Sequence, residues 1–213
     1  MTDQPILSDE EKDILQEIMN IAFGSATEEL VQVIDIYVHM NVPEVQVMRA
    51  KELPVYIQTN IIKESISSVV EQKFWGDFKG SGVLVFPGKT DRDLVHILDN
   101  GFSSEDTLDD RPLQTLQHEV LMEVGNILIG ACVGKISDLL RTFVTYSPPQ
   151  TILDSDNEFS YLADSFGEDQ TAIVLKAVFE FEKKNVNGLL FILTNDESME
   201  WLRQALIGFM EQY

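Results

Sequence analysis

The sequence predicts an α+β fold with two long helices packed on one continuous, mainly antiparallel sheet. The first observation is an internal repeat: residues 17–24 (EIMNIAFG) align with residues 123–130 (EVGNILIG), and four of these eight positions are identical. The offset of 106 residues is almost half of the 213-residue chain. We therefore predict two homologous halves, 1–106 and 107–213, that form a single domain, with their long helices related by a pseudo-twofold axis.

A long helix is predicted to open each half, over residues 8 to about 37 and 109 to about 143. Ser8 and Glu11 have the spacing of a capping box, in which each side chain bonds the backbone N–H group of the other residue. The second observation is that apolar residues in each helix recur at i, i+4 and i+7, which places them on one face. The members of this stripe are Ile14, Ile18 and Ile21 in the first helix and Val120, Val124 and Ile127 in the second.

The third observation is a series of strand-like segments after each long helix. Proline breaks the chain into extended structure before them, at Pro43 in the first half and at Pro148 and Pro149 in the second. Apolar, β-branched and aromatic residues then predict strands over 66–74, 82–86, 171–181 and 188–194. Residues 184–188 are expected to form a turn between antiparallel strands, residues 154–169 a polar loop, and residues 91–98 and 196–211 the short helices that close the halves.

The composition is that of a folded and strongly acidic protein. Hydrophobic residues make up 44% of the chain, and 15 basic against 36 acidic residues give a formal net charge of −21. Sequence-independent binding to nucleic acid needs lysine and arginine to displace counterions from the phosphates, and an anionic membrane surface attracts basic segments. We therefore expect neither nucleic acid nor a membrane surface as a partner.

The sequence predicts no disulfide, no metal site and no targeting segment. Cys132 is the single cysteine, so it forms no internal disulfide, and its apolar surroundings indicate packing in the core. His39, His96 and His118 lack the spacing of metal ligands. Residues 1–13 do not resemble a signal peptide, and no apolar run approaches about 18 residues, so we expect a cytoplasmic location.

Polar residues line a second face of each long helix, again at i, i+4 and i+7. An asparagine in the middle of a helix needs an explanation, because its side chain competes for backbone hydrogen bonds. Two interpretations are open from the residues alone: the asparagine braces the neighbouring helix while the acidic residues are merely solvated, or the face is a functional site. The face consists of Asp13, Glu17 and Asn20 in the first half and of Glu119, Glu123 and Asn126 in the second.

Both faces carry the pattern acidic-x3-Glu-x2-Asn, and a proline follows 23 residues after each asparagine, at Pro43 and Pro149. This pattern is similar to the motif of the CheC/CheX/FliY family of phosphatases, which act on the phosphorylated chemotaxis response regulator CheY. Two intact sites in a chain of this length resemble the CheC-type members of the family. The second site departs from the family pattern at Glu119, where aspartate or serine is usual.

The resemblance implies a reaction and a role for each residue. Asn20 and Asn126 are expected to position the water that attacks the aspartyl phosphate of the regulator, while Glu17 and Glu123 pair with a lysine of that regulator. Mg²⁺ is expected on the regulator, and no cofactor is expected on this chain. The implied partners are a phosphorylated CheY-like receiver domain and a CheD-type deamidase. The remaining motif positions are expected to contact the partner (Asp13, Glu119) or to fix the backbone (Pro43, Pro149).

A second function is open, namely that of a non-catalytic adaptor. FliM-type flagellar switch proteins share the family's fold and bind the regulator, but they lack the pair of glutamate and asparagine. Both pairs are present here, as Glu17 with Asn20 and Glu123 with Asn126. The sequence therefore favours the phosphatase.

Overall fold

The structure, a computed structural model, describes residues 7–34, 37–61, 66–87, 93–94, 113–152, 171–182, 186–195 and 199–211. The loop expected at 154–169 and the boundary between the halves at residue 106 lie outside these ranges. The short helix expected at 91–98 also lies outside them, except for residues 93–94, which are helical.

The described residues form helices and strands in an order that repeats along the chain. They are α1 (Asp9–Ile34), β1 (Val38–Met40), β2 (Glu44–Arg49), a 3₁₀ turn (Ala50–Glu52), α2 (Leu53–Ile61), β3 (Ile66–Gly76), β4 (Gly80–Pro87), α3 (Leu113–Leu139), β5 (Val144–Tyr146), β6 (Gln150–Ile152), β7 (Thr171–Phe181), β8 (Val186–Asn195) and α4 (Met199–Met210). A long helix, two short strands and a pair of long strands thus occur twice. The predicted α+β class is confirmed.

The long strands agree with the sequence prediction better than the connections do. The strand predicted at 171–181 is confirmed, and the other long strands extend one or two residues beyond their predicted ends, because each continues as far as its partner does. Residues 186 and 187 were expected in a turn and not in a strand, but they belong to β8. Helix α2 and the 3₁₀ turn were not predicted.

The capping box at the start of α1 is confirmed. The Ser8 N–H donates to Glu11 Oε2 at 2.7 Å, and the Glu11 N–H donates to Ser8 Oγ at 3.1 Å. The other carboxylate oxygen, Glu11 Oε1, accepts a hydrogen bond from Arg203 Nε at 3.0 Å. The N-terminal end of α1 is therefore tied to α4.

The described strands form one antiparallel sheet in the order β1-β7-β8-β4-β3-β5, in which β2 also pairs with β7 and β6 also pairs with β3. Strands β4 and β8 meet in the middle, where Leu84 lies opposite Leu190. The short strands of the first half pair with a long strand of the second half, and those of the second half pair with a long strand of the first. The short strands of each half therefore depend on the other half of the chain for their pairing.

The two motif prolines lie at the junctions between the short strands. Pro43 directly precedes β2 and Pro149 directly precedes β6, and they are buried and half-buried respectively. Proline has no N–H group to donate to a strand ladder, so each interrupts the extended segment. The two short strands on either side then pair separately with the same long strand.

The sheet is covered on both faces. Helices α1, α3 and α4 pack on one face over a large apolar cluster that includes Ile18, Phe74 and Cys132, all buried. The 3₁₀ turn and α2 pack on the other face, where Leu53 and Ile57 are buried against Phe191. The burial of Cys132 in the core was predicted.

Helix α3 ends before the predicted residue 143. It stops at Leu139, and Arg141 adopts a left-handed conformation with φ of 53°. The N–H of Arg141 donates to Asp138 O at 3.1 Å and that of Thr142 to Ser137 O at 2.9 Å. These bonds satisfy carbonyl groups that are free at a helix end, and β5 begins two residues later. In the first half, Tyr37 was expected in the helix but lies outside α1.

Replacing Arg141 by glycine is expected to stabilise the protein. A left-handed conformation costs a residue with a side chain about 1–2 kcal/mol, and glycine avoids this cost but loses more entropy on folding. We expect Arg141→Gly to raise the free energy of unfolding by about 0.5 kcal/mol, measured by urea denaturation. A loss of stability would contradict the role assigned to this residue at the end of α3.

One stretch of α3 is apolar enough to span a membrane by length and composition, which the sequence analysis did not expect. It covers residues 118–139, with a mean hydropathy of 1.5, and half of its most apolar part is buried inside the protein. Its buried side chains, including Leu128 and Ile136, pack in the cluster between the helices and the sheet. Its hydropathy is therefore that of a core helix.

Candidate functional site

The polar face of α1 is exposed to solvent. Asp13, Glu17 and Asn20 are all exposed, and so is Gly24, one turn beyond Asn20. Within the described part of the chain, neither Glu17 nor Asn20 makes a side-chain hydrogen bond or an ion pair. The two side chains that carry the motif are thus available to a second molecule.

The polar face of α3 repeats this arrangement with one difference. Glu119, Glu123 and Asn126 are exposed, as are their counterparts in α1. Asn126, however, is hydrogen-bonded: Gln72 Nε2 of strand β3 donates to Asn126 Oδ1 at 3.0 Å. The two asparagines therefore have different surroundings, although they occupy the same position in the motif.

Gln72 is itself fixed by the junction between β5 and β6. Its Nε2 also donates to the backbone oxygen of Ser147 at 3.0 Å. Ser147 is held in turn by Lys73, because the Ser147 N–H donates to Lys73 O at 2.9 Å and the Lys73 N–H donates to Ser147 Oγ at 3.1 Å. The hydrogen bonds that link Ser147, Gln72 and Asn126 are thus anchored on the backbone of β3.

Glycine residues allow α3 to approach the β3–β4 hairpin. A Cβ atom on Gly125 would lie 2.5 Å from Val70 Cγ1, and one on Gly82 would clash with Ile129. Because glycine has no side chain, helix and strands meet at a distance that alanine would not permit. Gly125 directly precedes Asn126, so this close approach brings the asparagine within reach of Gln72.

Tyr146 supports α3 on the other side of the asparagine. Its hydroxyl donates a long hydrogen bond of 3.4 Å to the backbone oxygen of Gly130, one turn beyond Asn126. Burial, together with smaller contributions from the nearby Asp138 and Cys132, raises the pKa of Tyr146 to about 12. The hydroxyl therefore remains protonated at neutral pH and keeps donating.

The structure bears on one of the two interpretations of the helical asparagines, namely the bracing of one long helix by the other. Asn126 bonds a strand beneath its own helix, and Asn20 has no bonding partner among the described side chains. Bracing of one long helix by the asparagine of the other is therefore not found in this part of the chain. Nor do the described residues include a group of three histidine, cysteine or acidic side chains arranged to hold a metal ion.

Sequence reasoning found the exposed motif residues but missed Gln72. The available signal was that Gln72 shares one face of a predicted strand with Val70 and Phe74, since alternate residues of a strand point to the same side. Gln72 is only 2% exposed, and a buried amide requires hydrogen-bond partners. Its partner Asn126 is 54 residues away in the sequence, so the signal did not indicate which residue it binds.

Comparison with known proteins gives relatives that match over most of the chain. No protein-family model matches. CheC of Bacillus subtilis strain 168, described as a CheY-P phosphatase, is 24% identical over 207 residues, which cover 94% of this chain and 95% of that protein. The chain is thus similar in sequence to a CheC protein over almost its full length.

Solved structures of FliY, CheX and FliM proteins share the fold. FliY of Thermotoga maritima matches with a TM-score of 0.71 and 20% identity, covering 95% of this chain and 98% of that one. CheX in a CheX–CheY–BeF₃–Mg²⁺ complex from Borrelia burgdorferi matches with a TM-score of 0.52 and 16% identity, covering 82% and 97%. The middle domain of FliM from H. pylori also matches, with a TM-score of 0.62 and 11% identity over 93% of this chain and 99% of that one.

Proposed function

We propose that this chain is a phosphatase that hydrolyses the aspartyl phosphate of a CheY-like receiver domain. The observation that carries the proposal is the repeated exposed face, on which Glu17 and Asn20 recur as Glu123 and Asn126 with identical spacing. The description of the CheC relative as a CheY-P phosphatase supports it. So does the matched CheX structure, which was solved in complex with CheY.

The proposed reaction needs positioning more than it needs a chemical group on the enzyme. A water oxygen attacks phosphorus in line, the bond between phosphorus and the aspartate oxygen breaks, and inorganic phosphate leaves together with the water's protons. Most of the catalysis of such a transfer comes from orientation and charge stabilisation. The amide of Asn20 or Asn126 is neutral, so it orients the water without adding negative charge beside the phosphoryl oxygens.

The glutamates are proposed to place the helix on the receiver. Glu17 and Glu123 each lie one turn before the asparagine on the same face, so a receiver lysine paired with the glutamate would fix the position of the amide. Asp13 and Glu119, one turn earlier, would extend this contact. The divalent ion belongs to the receiver in this proposal, and the chain itself contributes no cofactor.

Further parts of the proposal concern origin, partners and location. The repeated element order supports an origin of the two halves by duplication. A CheD-type deamidase is a second proposed partner. We place the protein in the cytoplasm, where receiver domains are phosphorylated.

A non-catalytic adaptor is the second candidate function. The observation that favours it is the similarity of the fold to the FliM middle domain. An adaptor would bind the phosphorylated receiver and leave the lifetime of its phosphate unchanged. The deciding experiment measures phosphate release from a labelled receiver with and without this protein: acceleration supports the phosphatase, whereas binding without acceleration supports the adaptor.

Reversing the charge of both glutamates is expected to weaken binding to the receiver. Glu17→Lys combined with Glu123→Lys places a lysine opposite the proposed lysine of the receiver, and like charges at an interface are strongly unfavourable. We expect the dissociation constant for the phosphorylated receiver to rise at least about tenfold, measured by calorimetry.

The control for this variant must change the net charge equally. Glu180→Lys combined with Glu182→Lys does so at exposed positions on and after strand β7, away from the two helical faces. We expect binding of this control to remain within about twofold of the wild type, since charges outside an interface act only through the overall field. Equal weakening by both pairs would show that overall charge, not the motif, determines binding.

A further inference from the structure

We propose that Gln72 is a positioning residue for Asn126 and that it makes the second site more rigid than the first. This proposal rests on the role of Asn126 proposed above. It concerns a residue that lies in a strand, outside both helical faces. The evidence is the set of hydrogen bonds around one buried amide.

The backbone of Ser147 determines how the two amide groups are oriented. Its carbonyl oxygen only accepts hydrogen bonds, so the Gln72 atom 3.0 Å away must be the nitrogen Nε2. The Asn126 atom that lies 3.0 Å from the same nitrogen must then be an acceptor, which is the oxygen Oδ1. The usual ambiguity between oxygen and nitrogen in amide side chains is thereby resolved for both residues.

The orientation fixes what the second site presents to a partner. Asn126 Oδ1 has two lone pairs, of which Gln72 occupies one. The other lone pair and the Nδ2 group make no hydrogen bond to any described residue. The Asn126 side chain is thus held at one end and offers the rest of its amide to a water molecule or to the receiver.

The corresponding position beneath the first site, which lies in strand β7, has no amide. The Asn41 N–H donates to Val178 O at 2.9 Å, as the Ser147 N–H does to Lys73 O. The residue that precedes Val178, and so corresponds to Gln72, is Ala177, which is buried. Asn20 therefore has no counterpart of Gln72 beneath it.

Helices α1 and α3 also differ from each other, again in a way that holds the asparagine of the second site more firmly. Gly125, which lets α3 approach β3, corresponds to Met19 in α1 at the offset of 106 residues, and Met19 is buried. In α3, Gly125 lies close against Val70 and leaves no space for a side chain. In α1, the side chain of Met19 occupies the equivalent position and fills the space there. Both differences favour a fixed asparagine in the second site and a freely rotating one in the first.

The kinetic test uses an enzyme in which only the second site is active. In an Asn20→Ala background, Gln72→Met keeps the length and packing of the side chain but removes the donor. We expect kcat to fall about three- to tenfold, the effect of freeing one side chain before the reaction, while KM for the phosphorylated receiver stays unchanged. The matched control is Gln46→Met, an exposed glutamine on β2, for which both constants should be unchanged.

A second measurement is independent of activity. NMR relaxation of the side-chain NH₂ groups in the free protein should show Asn126 as rigid and Asn20 as mobile, and Gln72→Met should make Asn126 as mobile as Asn20. Equal mobility of both asparagines in the wild type would overturn the proposal. So would an unchanged kcat in an active Asn20→Ala, Gln72→Met enzyme. Absence of activity in the wild type would instead refute the phosphatase function, and the NMR result would still decide the role of Gln72.

Discussion

Replacing Asn20 and Asn126 together by alanine is expected to return the decay of the receiver's phosphate to its spontaneous rate. Each asparagine is the proposed water-positioning group of its site, and loss of one such hydrogen-bonding group typically costs about 100-fold or more in rate. The acidic residues and the helices remain, so binding to the receiver should persist. The measurement is phosphate release in single turnover, with binding measured in parallel.

The single variants show how the two sites share the activity. If the second site is the more rigid one, Asn126→Ala should lower the total rate more than Asn20→Ala does. Wild-type activity in the double variant would reject the role proposed for both asparagines. An equal loss of binding and rate would instead assign them to docking.

The free energy of unfolding should also differ between the single variants Asn20→Ala and Asn126→Ala. Asn20 is exposed and has no described side-chain partner, so Asn20→Ala should change the free energy of unfolding by less than about 0.5 kcal/mol. Asn126→Ala removes an acceptor from the buried Gln72, and a lost hydrogen bond costs about 1 kcal/mol. Urea denaturation of both variants checks this difference and shows that the loss of activity is not a loss of folding.

Among the variants proposed for this protein, Gly80→Ala is expected to lower the free energy of unfolding the most. A Cβ atom on Gly80 would clash with the backbone oxygen of Leu193, on the neighbouring strand β8 at the centre of the sheet. The backbone of Gly80 is paired on both sides, with Phe74 of β3 and Thr194 of β8, and so has little room to move; we expect a loss of about 3 kcal/mol. For a chain of this length, this corresponds to a decrease in melting temperature of roughly 6–12 °C.

The control for Gly80 is a glycine at which a methyl group has space. A Cβ atom on Gly24 would meet nothing within 4 Å, and glycine within a helix is less stable than alanine by about 0.5–1 kcal/mol. Gly24→Ala should therefore raise the melting temperature. If both variants lost stability to the same extent, the clash with Leu193 would not be the cause.

The parts of the fold that follow from local patterns were predictable. The apolar stripes of α1 and α3 have the helical period, and their prediction needs no knowledge of the rest of the chain. Helix α2 was missed for a local reason: its β-branched residues Val55, Ile57 and Thr59 resemble a strand. Proline at its second position, Pro54, is compatible with a helix start but also indicates a break.

Features that depend on distant partners were not predictable. Strands β1 and β5 have only three residues each, and their extended form depends on β7 and β3 from the other half of the chain. The candidate site shows the same limit. The spacing of Glu17, Asn20, Glu123 and Asn126 indicated the exposed faces, whereas the contact of Gln72 depends on the register of β3 and on the close approach at Gly125.

The buried oxygen of Gln72 has a consequence for how this protein would evolve in the laboratory. Gln72 Oε1 has no hydrogen-bond partner among the described residues, and such a group costs about 1–3 kcal/mol. In a library selected only for resistance to proteolysis, apolar residues should therefore replace glutamine at this position. A library selected for rapid phosphate turnover should retain it, so position 72 would record which of the two pressures had acted on the population.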